Sequence, residues 1–142
     1  MVNPTMPTEP VDPPYAGKAG PIGRLAAEAW DHLWPWSRAG FQRQRAVQAA
    51  GVALGIGACV MWVLAAMGRL EAGAVIGWWF GWSVFEVIVR LGSKPYVKEG
   101  PWWGARYRTA SWMDMICYVS FKNLLVGAVL FLSLKSLGVL SV

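Results

Sequence analysis

Three long apolar stretches alternate with polar segments along the chain. They cover approximately Ala46–Met67, Ala72–Leu91 and Cys117–Leu140. A helix needs roughly 20 apolar residues to cross the hydrocarbon core of a bilayer, and each stretch reaches that length. The pattern predicts three transmembrane helices, which would leave no room for a sizeable soluble domain.

A shorter amphipathic pattern precedes the first apolar stretch. From Ile22 to Trp34 apolar residues recur at helical spacing. The opposite side of this predicted helix carries Arg24, Glu28, Asp31 and His32. A short, Trp-rich amphipathic helix ahead of a span is typical of the headgroup plane of a membrane. A helix that packs on the soluble surface of a partner fits the pattern equally well.

The first 21 residues contain six prolines and no apolar signal region. Such a segment buries too little surface to offset the entropy of ordering it, so we expect a disordered tail. The predicted organisation is a Pro-rich tail over residues 1–21, an amphipathic interfacial helix and basic linker over 22–45, and a three-helix transmembrane domain over 46–142. The predicted fold class is therefore an all-α membrane protein.

Composition and charge placement agree with a membrane location. Hydrophobic residues make up 56% of the chain and charged residues 15%, against roughly 45–50% and 25% in soluble domains. Three basic residues precede the first span, five follow the second, and one lies in the turn between them. This bias predicts a cytoplasmic N-terminus, a cytoplasmic loop over 92–111 and a C-terminus outside. We expect no nucleic-acid binding, because the basic residues flank spans instead of covering a folded polar face. We expect a bacterial inner membrane, because the sequence shows no organelle-targeting segment.

Charged and amide side chains inside the predicted spans form a candidate site. Glu86 lies four residues before Arg90, so both occupy one helical face. Lys122 and Asn123 lie at a similar depth in the third span. Because ionised groups are costly inside a membrane, we expect these four residues to form a cluster that locks the helices together. A proton or cation relay is the functional alternative.

Glycines in the first two spans indicate close helix packing. Gly73, Gly77 and Gly81 form two consecutive G-x-x-x-G steps, and Gly51 and Gly55 form a shorter one. Small residues let helix backbones approach closely in lipid, where no hydrophobic force drives helices together. The groove is predicted to hold the first two spans together or to receive another subunit.

Three tryptophans, Trp78, Trp79 and Trp82, lie beside these glycines in the middle of the second span. Most other tryptophans of the chain fall near the predicted inner interface, where indoles are commonly found. The mid-span indoles are expected to fill space between helices, and a bound lipid or apolar cofactor is the alternative.

The loop between the second and third spans interleaves aromatic and basic residues. They are Lys94, Tyr96, Lys98, Trp102, Trp103, Arg106, Tyr107 and Arg108. This mixture suits anionic lipid headgroups, to which each basic side chain contributes about 1 kcal/mol, and it also suits a protein interface. We expect the loop to dock on a partner or on lipid. Ser111 and Asp114 then predict a capping box that opens the third span.

No catalytic or metal-binding motif is recognisable, and no cofactor or metal is predicted. The sequence thus favours a non-catalytic accessory, assembly or stabilising subunit of a larger inner-membrane complex, with other membrane subunits or further copies of itself as partners. One alternative is a homo-oligomeric channel or transporter that uses Glu86 and Lys122. Another is an inner-leaflet enzyme for lipid-linked substrates, with Glu86 or Asp114 as the base.

Overall fold

The computed structural model describes residues 9–17, 20–35, 45–100 and 106–139. Within these ranges the chain forms helices α1 Pro21–Leu33, α2 Arg45–Ala66 and α3 Ala72–Ser93, strands β1 Tyr96–Glu99 and β2 Arg106–Thr109, and helix α4 Trp112–Ser136. The described residues are therefore mainly helical, with one small sheet.

Helices α2, α3 and α4 are each long and apolar enough to cross a membrane. This confirms the prediction of a multi-pass membrane protein. Helix α4 begins at Trp112, five residues ahead of the predicted span at Cys117. Its 25 residues correspond to about 37 Å at 1.5 Å per residue, so its ends extend beyond a hydrocarbon core of about 30 Å.

The early start of α4 follows from the predicted capping box, which is present. The Ser111 hydroxyl oxygen accepts a hydrogen bond from the Asp114 N–H at 3.1 Å, and the Asp114 carboxylate accepts one from the Ser111 N–H at 2.9 Å. Arg108 also donates to both carboxylate oxygens of Asp114, at 2.5 and 2.7 Å. The first turn of α4 is thereby fixed to the preceding strand.

A tight turn joins α2 to α3. Gly68 has φ +69°, a conformation in which glycine is the favoured residue at a helix C-terminus. The Gly68 N–H donates to the carbonyl oxygen of Ala65 at 2.9 Å, and the Arg69 N–H donates to that of Leu64 at 2.8 Å. These bonds end α2 and turn the chain back, so α2 and α3 form an antiparallel hairpin.

The loop after α3 contains an antiparallel β-hairpin, which corrects the all-α prediction. Tyr96 pairs with Thr109 and Glu99 with Arg106. Helix α3 ends at Ser93, two residues ahead of Pro95. The alternating aromatic and basic residues suit a strand, because aromatic side chains are favoured on a pleated surface.

Residues 9–13 run beside β2 and a turn follows over 14–17, where the sequence predicted a disordered tail. The Thr109 N–H donates to the Glu9 carbonyl oxygen at 2.9 Å, and the Val11 N–H donates to that of Tyr107 at 3.2 Å. Tyr15 is buried, with edge-on ring contacts to Tyr96 and Tyr107. Hydrogen bonds to the open edge of β2 and burial of the Tyr15 ring offset the entropy cost of ordering this segment. Composition alone does not indicate either contribution. The other predicted tail residues, apart from Gly20 and Pro21, lie outside the described ranges.

Helix α1 turns its charged side towards the hairpin, the C-terminal end of α3 and the N-terminal end of α4. Its large apolar residues face away, with exposures between 59% and 83%; they are Ile22, Leu25, Trp30 and Leu33. In water this arrangement would be unfavourable, since large apolar side chains are normally covered.

The most deeply buried side chains lie towards the C-terminal end of α3 and the N-terminal end of α4. Arg90, Met115, Glu86 and Val119 are almost fully inaccessible. Outside this region the spans expose apolar surface, as expected for helices that face lipid. The core of the described chain is thus unusually polar, and the candidate site lies inside it.

Candidate functional site: a buried polar cluster

The structure brings together the four polar residues singled out in the spans. One carboxylate oxygen of Glu86 lies 2.9 Å from Arg90 Nε and 2.6 Å from Lys122 Nζ. The other oxygen accepts a hydrogen bond from Asn123 Nδ2 at 3.0 Å. Glu86 is 0% exposed. We refer to Glu86, Arg90, Lys122, Asn123 and Ser83 as the polar cluster.

Helical spacing explains how α3 and α4 build this cluster. Ser83, Glu86 and Arg90 follow one another on the same side of α3, one turn apart. Asn123 of α4 donates to Ser83 Oγ at 3.0 Å as well as to Glu86. Removing one partner of a buried ion pair leaves an uncompensated charge. The cluster therefore fixes the relative position of α3 and α4.

Arg90 also connects the cluster to the end of α1. Its two terminal nitrogens each donate to the Asp31 carbonyl oxygen at 3.2 Å, and one also donates to that of His32 at 2.9 Å. Its guanidinium lies 5.3 Å from the centre of the Tyr118 ring. The last carbonyls of a helix have no partner within the helix and carry partial negative charge, so a cation is stabilising there.

A second set of contacts joins α1 to the segment after α3. Lys94 Nζ lies 2.8 Å from Asp31 Oδ1 and donates to the Trp34 carbonyl oxygen at 2.5 Å. The Tyr96 hydroxyl donates to Asp31 Oδ1 at 3.0 Å. Burial of Lys94 lowers the pKa of its ammonium group, and the neighbouring Asp31 carboxylate opposes that shift.

Glu28 is the second carboxylate of α1 that faces the hairpin. It accepts a hydrogen bond from the Tyr107 hydroxyl at 2.9 Å and lies 3.4 Å from Lys98 Nζ and 3.3 Å from Arg24 Nε. Burial raises the pKa of Glu28, but the Tyr107 hydrogen bond and the Lys98 charge outweigh burial, so the net pKa lies below its ordinary value. We call the contacts of Glu28 and Asp31 with the hairpin segment the α1 docking interface.

These contacts place most of the aromatic–basic loop against its own chain. Lys94, Tyr96, Lys98 and Tyr107 contact α1, and Arg108 contacts Asp114 of α4. Arg106 is exposed. Trp102 and Trp103 lie outside the described residues. The carboxylates of α1 therefore provide a docking site for the loop within the same chain. The sequence did not indicate this site, because α1 and the loop are far apart in sequence.

The long glycine groove of α3 is open in this structure. A Cβ atom built at Gly73, Gly77 or Gly81 would meet no described atom within 4 Å. It therefore does not hold α2 and α3 together. Gly55 is nearer to α3, since its Cβ would lie 3.9 Å from the Trp82 ring.

Gly51, in the shorter glycine pair, is buried. The close approaches between helices occur at two other glycines, which the sequence pattern did not indicate. A Cβ at Gly127 would lie 3.0 Å from the Trp62 ring, and one at Gly57 would lie 3.4 Å from Trp78. Both glycines make room for an indole of another helix. Neither belongs to a long G-x-x-x-G run, so spacing gave no signal for them.

Among the described residues, no group of three or more His, Cys, Asp or Glu side chains could hold a metal ion. The polar cluster stabilises helix contacts, because each charged member already has a partner of opposite charge.

Comparisons with known proteins identify no family for the chain. No protein-family model matches it, no curated protein matches it significantly, and no solved structure does so either. Its function is therefore inferred from the geometry of the chain itself.

Proposed function

We propose that this chain is a non-catalytic accessory, assembly or stabilising subunit of a larger membrane-protein complex. The observation that supports this proposal most directly is the open glycine face of α3. Gly77 lies nine residues before Glu86, which places the two about 180° apart around the helix. Glu86 faces α4, so the glycine face points away from α4.

The surroundings of this face suit another helix. Gly77 and Gly81 line a cavity of about 380 Å³ together with Leu54, Trp82 and Phe85. Glycines permit close backbone approach, and bulky neighbours provide the van der Waals contact that drives association in lipid. We infer that a helix of another subunit, or of a second copy, packs on this face.

The state of the charged groups favours this proposal over a channel. A pore-lining carboxylate needs access to water or to the passing ion. Glu86 is 0% exposed and its oxygens are taken by Arg90, Lys122 and Asn123. A conducting role would require these contacts to break.

The same reasoning disfavours the enzyme alternative. A general base must reach the proton of a bound substrate. Asp114 is held by both nitrogens of Arg108 and by its capping bonds. Glu86 is equally engaged, so neither carboxylate is poised as a base.

We further propose that the chain resides in a bacterial inner membrane with its N-terminus in the cytoplasm. The exposed apolar side of α1 supports an interfacial position for that helix, with Ile22, Leu25, Trp30 and Leu33 directed into the headgroup region. On this arrangement the polar cluster lies near the inner leaflet, between α1 and the bilayer centre.

Association in a mild detergent tests the proposed function. A Cβ atom added at Gly77 or Gly81 meets no described atom within 4 Å, so the monomer should accept Gly77→Leu combined with Gly81→Leu in the open cavity at this face. Val129→Leu is the matched control, because it enlarges a 56% exposed position on α4. We expect the unaltered chain and the control to migrate with partners, and the double variant to migrate alone with unchanged helix content.

Two differently tagged copies expressed together separate a homo-oligomer from a complex with other subunits. If the unaltered chain is a monomer at every protein concentration, or if the double variant associates as well as the unaltered chain, the proposal is wrong.

A further inference from the structure

A larger cavity lies between the three spans and shares Trp78 and Trp82 with the cavity beside the glycine face. Its volume is about 500 Å³, within the usual range of roughly 300–1,000 Å³ for ligand sites. Four indoles line it, those of Trp62, Trp78, Trp79 and Trp82, and Lys122 and Asn123 add polar groups.

The cavity extends to the end of α1. Leu33 and Trp34 line it together with residues of α2 and α4. If α1 lies in the headgroup plane, this part of the cavity faces the polar surface of the bilayer and the remainder faces its apolar interior. An amphiphile would be accommodated with its polar group beside Lys122 and its chain along the indoles.

The charge balance beside the cavity is positive. Arg90 and Lys122 share the single carboxylate of Glu86. The remaining donors of Arg90 are directed to the neutral carbonyl groups of Asp31 and His32. Lys122 carries three N–H donors, and its side chain is only 12% exposed although it lines the cavity. An anionic group at this position would balance the second cation.

The N–H groups of two indoles are a further feature of the cavity wall. The Nε1 atoms of Trp78 and Trp79 are buried and have no hydrogen-bond partner among the described residues. Buried N–H groups are normally hydrogen-bonded, and leaving one without an acceptor costs free energy. Trp78 and Trp79 line the cavity, but because their Nε1 atoms are buried, an acceptor on an occupant reaches them only if the rings turn.

We propose that this cavity is a binding site for an anionic glycerolipid, whose phosphate contacts Lys122 and whose acyl chain lies against the tryptophans. This inference does not require the proposed association with other subunits, but it takes the interfacial position of α1 from the proposed arrangement in the membrane. The site selects for negative charge in the headgroup through one lysine.

Lipid titration of the purified full chain in detergent tests the site. Phosphatidylglycerol and phosphatidylcholine with identical chains are added separately, and bound lipid is counted by native mass spectrometry. We expect saturable binding of the anionic lipid with about fivefold preference, since one basic residue contributes about 1 kcal/mol to anionic lipid binding. Equal binding of the two lipids would overturn the proposal, as would equal binding of an uncharged lipid-soluble quinone.

Lysine substitutions show which residue produces the preference for the anionic lipid. Lys122→Gln should abolish the preference while leaving Glu86 balanced by Arg90, and Lys122→Arg should retain the preference. Lys135→Gln is the matched control, because it removes a lysine from the exposed far end of the same helix. A preference that survives in Lys122→Gln, or that is lost in Lys135→Gln, contradicts the proposed site.

A cavity-filling variant provides a test that leaves every charge in place. Ala58 lines the cavity on α2, and Ala58→Phe should reduce anionic-lipid binding with Lys122 unchanged. If lipid binding is unaffected by Ala58→Phe while the variant keeps its helix content, the lipid lies elsewhere and the proposal is wrong.

Discussion

At the scale of single residues, a carboxylate that is fully buried among apolar helices must be either neutral or matched by cations. Glu86 is matched by Arg90 and Lys122 and accepts a further hydrogen bond from Asn123. Its position could be predicted because acidic residues are rare in spans and because Arg90 follows at helical spacing. The link from Arg90 to α1 could not be predicted, since Asp31 lies 59 residues away in sequence.

We predict that Glu86→Gln destabilises the chain by about 3–5 kcal/mol, the usual cost of breaking a buried ion pair by removing one partner. The amide leaves both Arg90 and Lys122 without a negative partner in the cluster. Thermal unfolding in detergent, followed by circular dichroism, measures the loss.

The control for this variant is Glu71→Gln, which changes an exposed carboxylate in the turn before α3. Adding Lys122→Met to Glu86→Gln should restore part of the stability, because one of the two unmatched charges is removed. An unfolding temperature for Glu86→Gln equal to that of the Glu71 control would contradict the account of the cluster.

The indole contacts of the spans support a second prediction at this scale. A Cβ at Gly127 would lie 3.0 Å from the Trp62 ring, whereas one at Gly77 would meet no described atom within 4 Å. Gly127→Val should therefore destabilise the chain by about 1–3 kcal/mol through overpacking, and Gly77→Val should leave a dissociated monomer nearly unchanged. Parallel unfolding curves for both variants decide the point; equal stability of the two would show that Trp62 moves aside freely.

At the scale of secondary-structure elements, regular periodicity made the spans predictable. Apolar runs of bilayer length predicted α2, α3 and α4, and the Ser111–Asp114 pair predicted the start of α4. The hairpin was missed because each strand has only four residues, too few for a clear alternation. The packing of residues 9–17 was missed because proline content indicates a lack of regular structure, and gives no information about an open strand edge nearby.

The sequence also could not predict which part of the chain the charged side of α1 faces. Its amphipathic pattern was visible, but only the structure shows that Glu28 and Asp31 face the hairpin segment. Lys98 forms an ion pair with Glu28, and Lys94 forms one with Asp31. The sequence predicted that the loop docks on lipid or on a partner, and the structure shows in addition that Lys94 and Lys98 contact carboxylates of the same chain.

The α1 docking interface should weaken in acid. The pKa of Glu28 in the folded chain lies below its ordinary value of 4.5. A carboxylate with a lowered pKa stabilises the folded state above the unfolded-state pKa, and that stabilisation is lost as pH falls towards and through the folded-state pKa. We expect hydrogen exchange of the α1 amides, corrected for its intrinsic pH dependence, to show reduced protection below about pH 4.5.

Glu28→Gln provides the comparison for this prediction. The amide oxygen can still accept from the Tyr107 hydroxyl but does not titrate. Protection of α1 in this variant should be lower than in the unaltered chain at neutral pH and should change less on acidification. An identical acid response in both proteins would assign the titration to another group.

At the scale of the whole molecule, three spans and the distribution of basic residues lead to one arrangement in the membrane. Segments with many lysines and arginines stay in the cytoplasm. The segments before α2 and after α3 are rich in them, and the turn between these helices holds only Arg69. The apolar side of α1 agrees with this arrangement, since the helix would then lie on the inner surface beside the ends of α3 and α4.

We therefore predict that the two termini lie on opposite sides of the membrane, with the N-terminus inside. A reporter active only in the cytoplasm should function when fused to residue 1 and fail after residue 142, and a reporter active only outside should do the reverse. Adding two arginines to the turn beside Arg69 should reduce this bias, because it raises the positive charge of the outer turn; two added glutamines are the control. Signals from both termini on the same side would contradict the three-span arrangement, and with it the location of α1, the polar cluster and the lipid cavity near the inner leaflet.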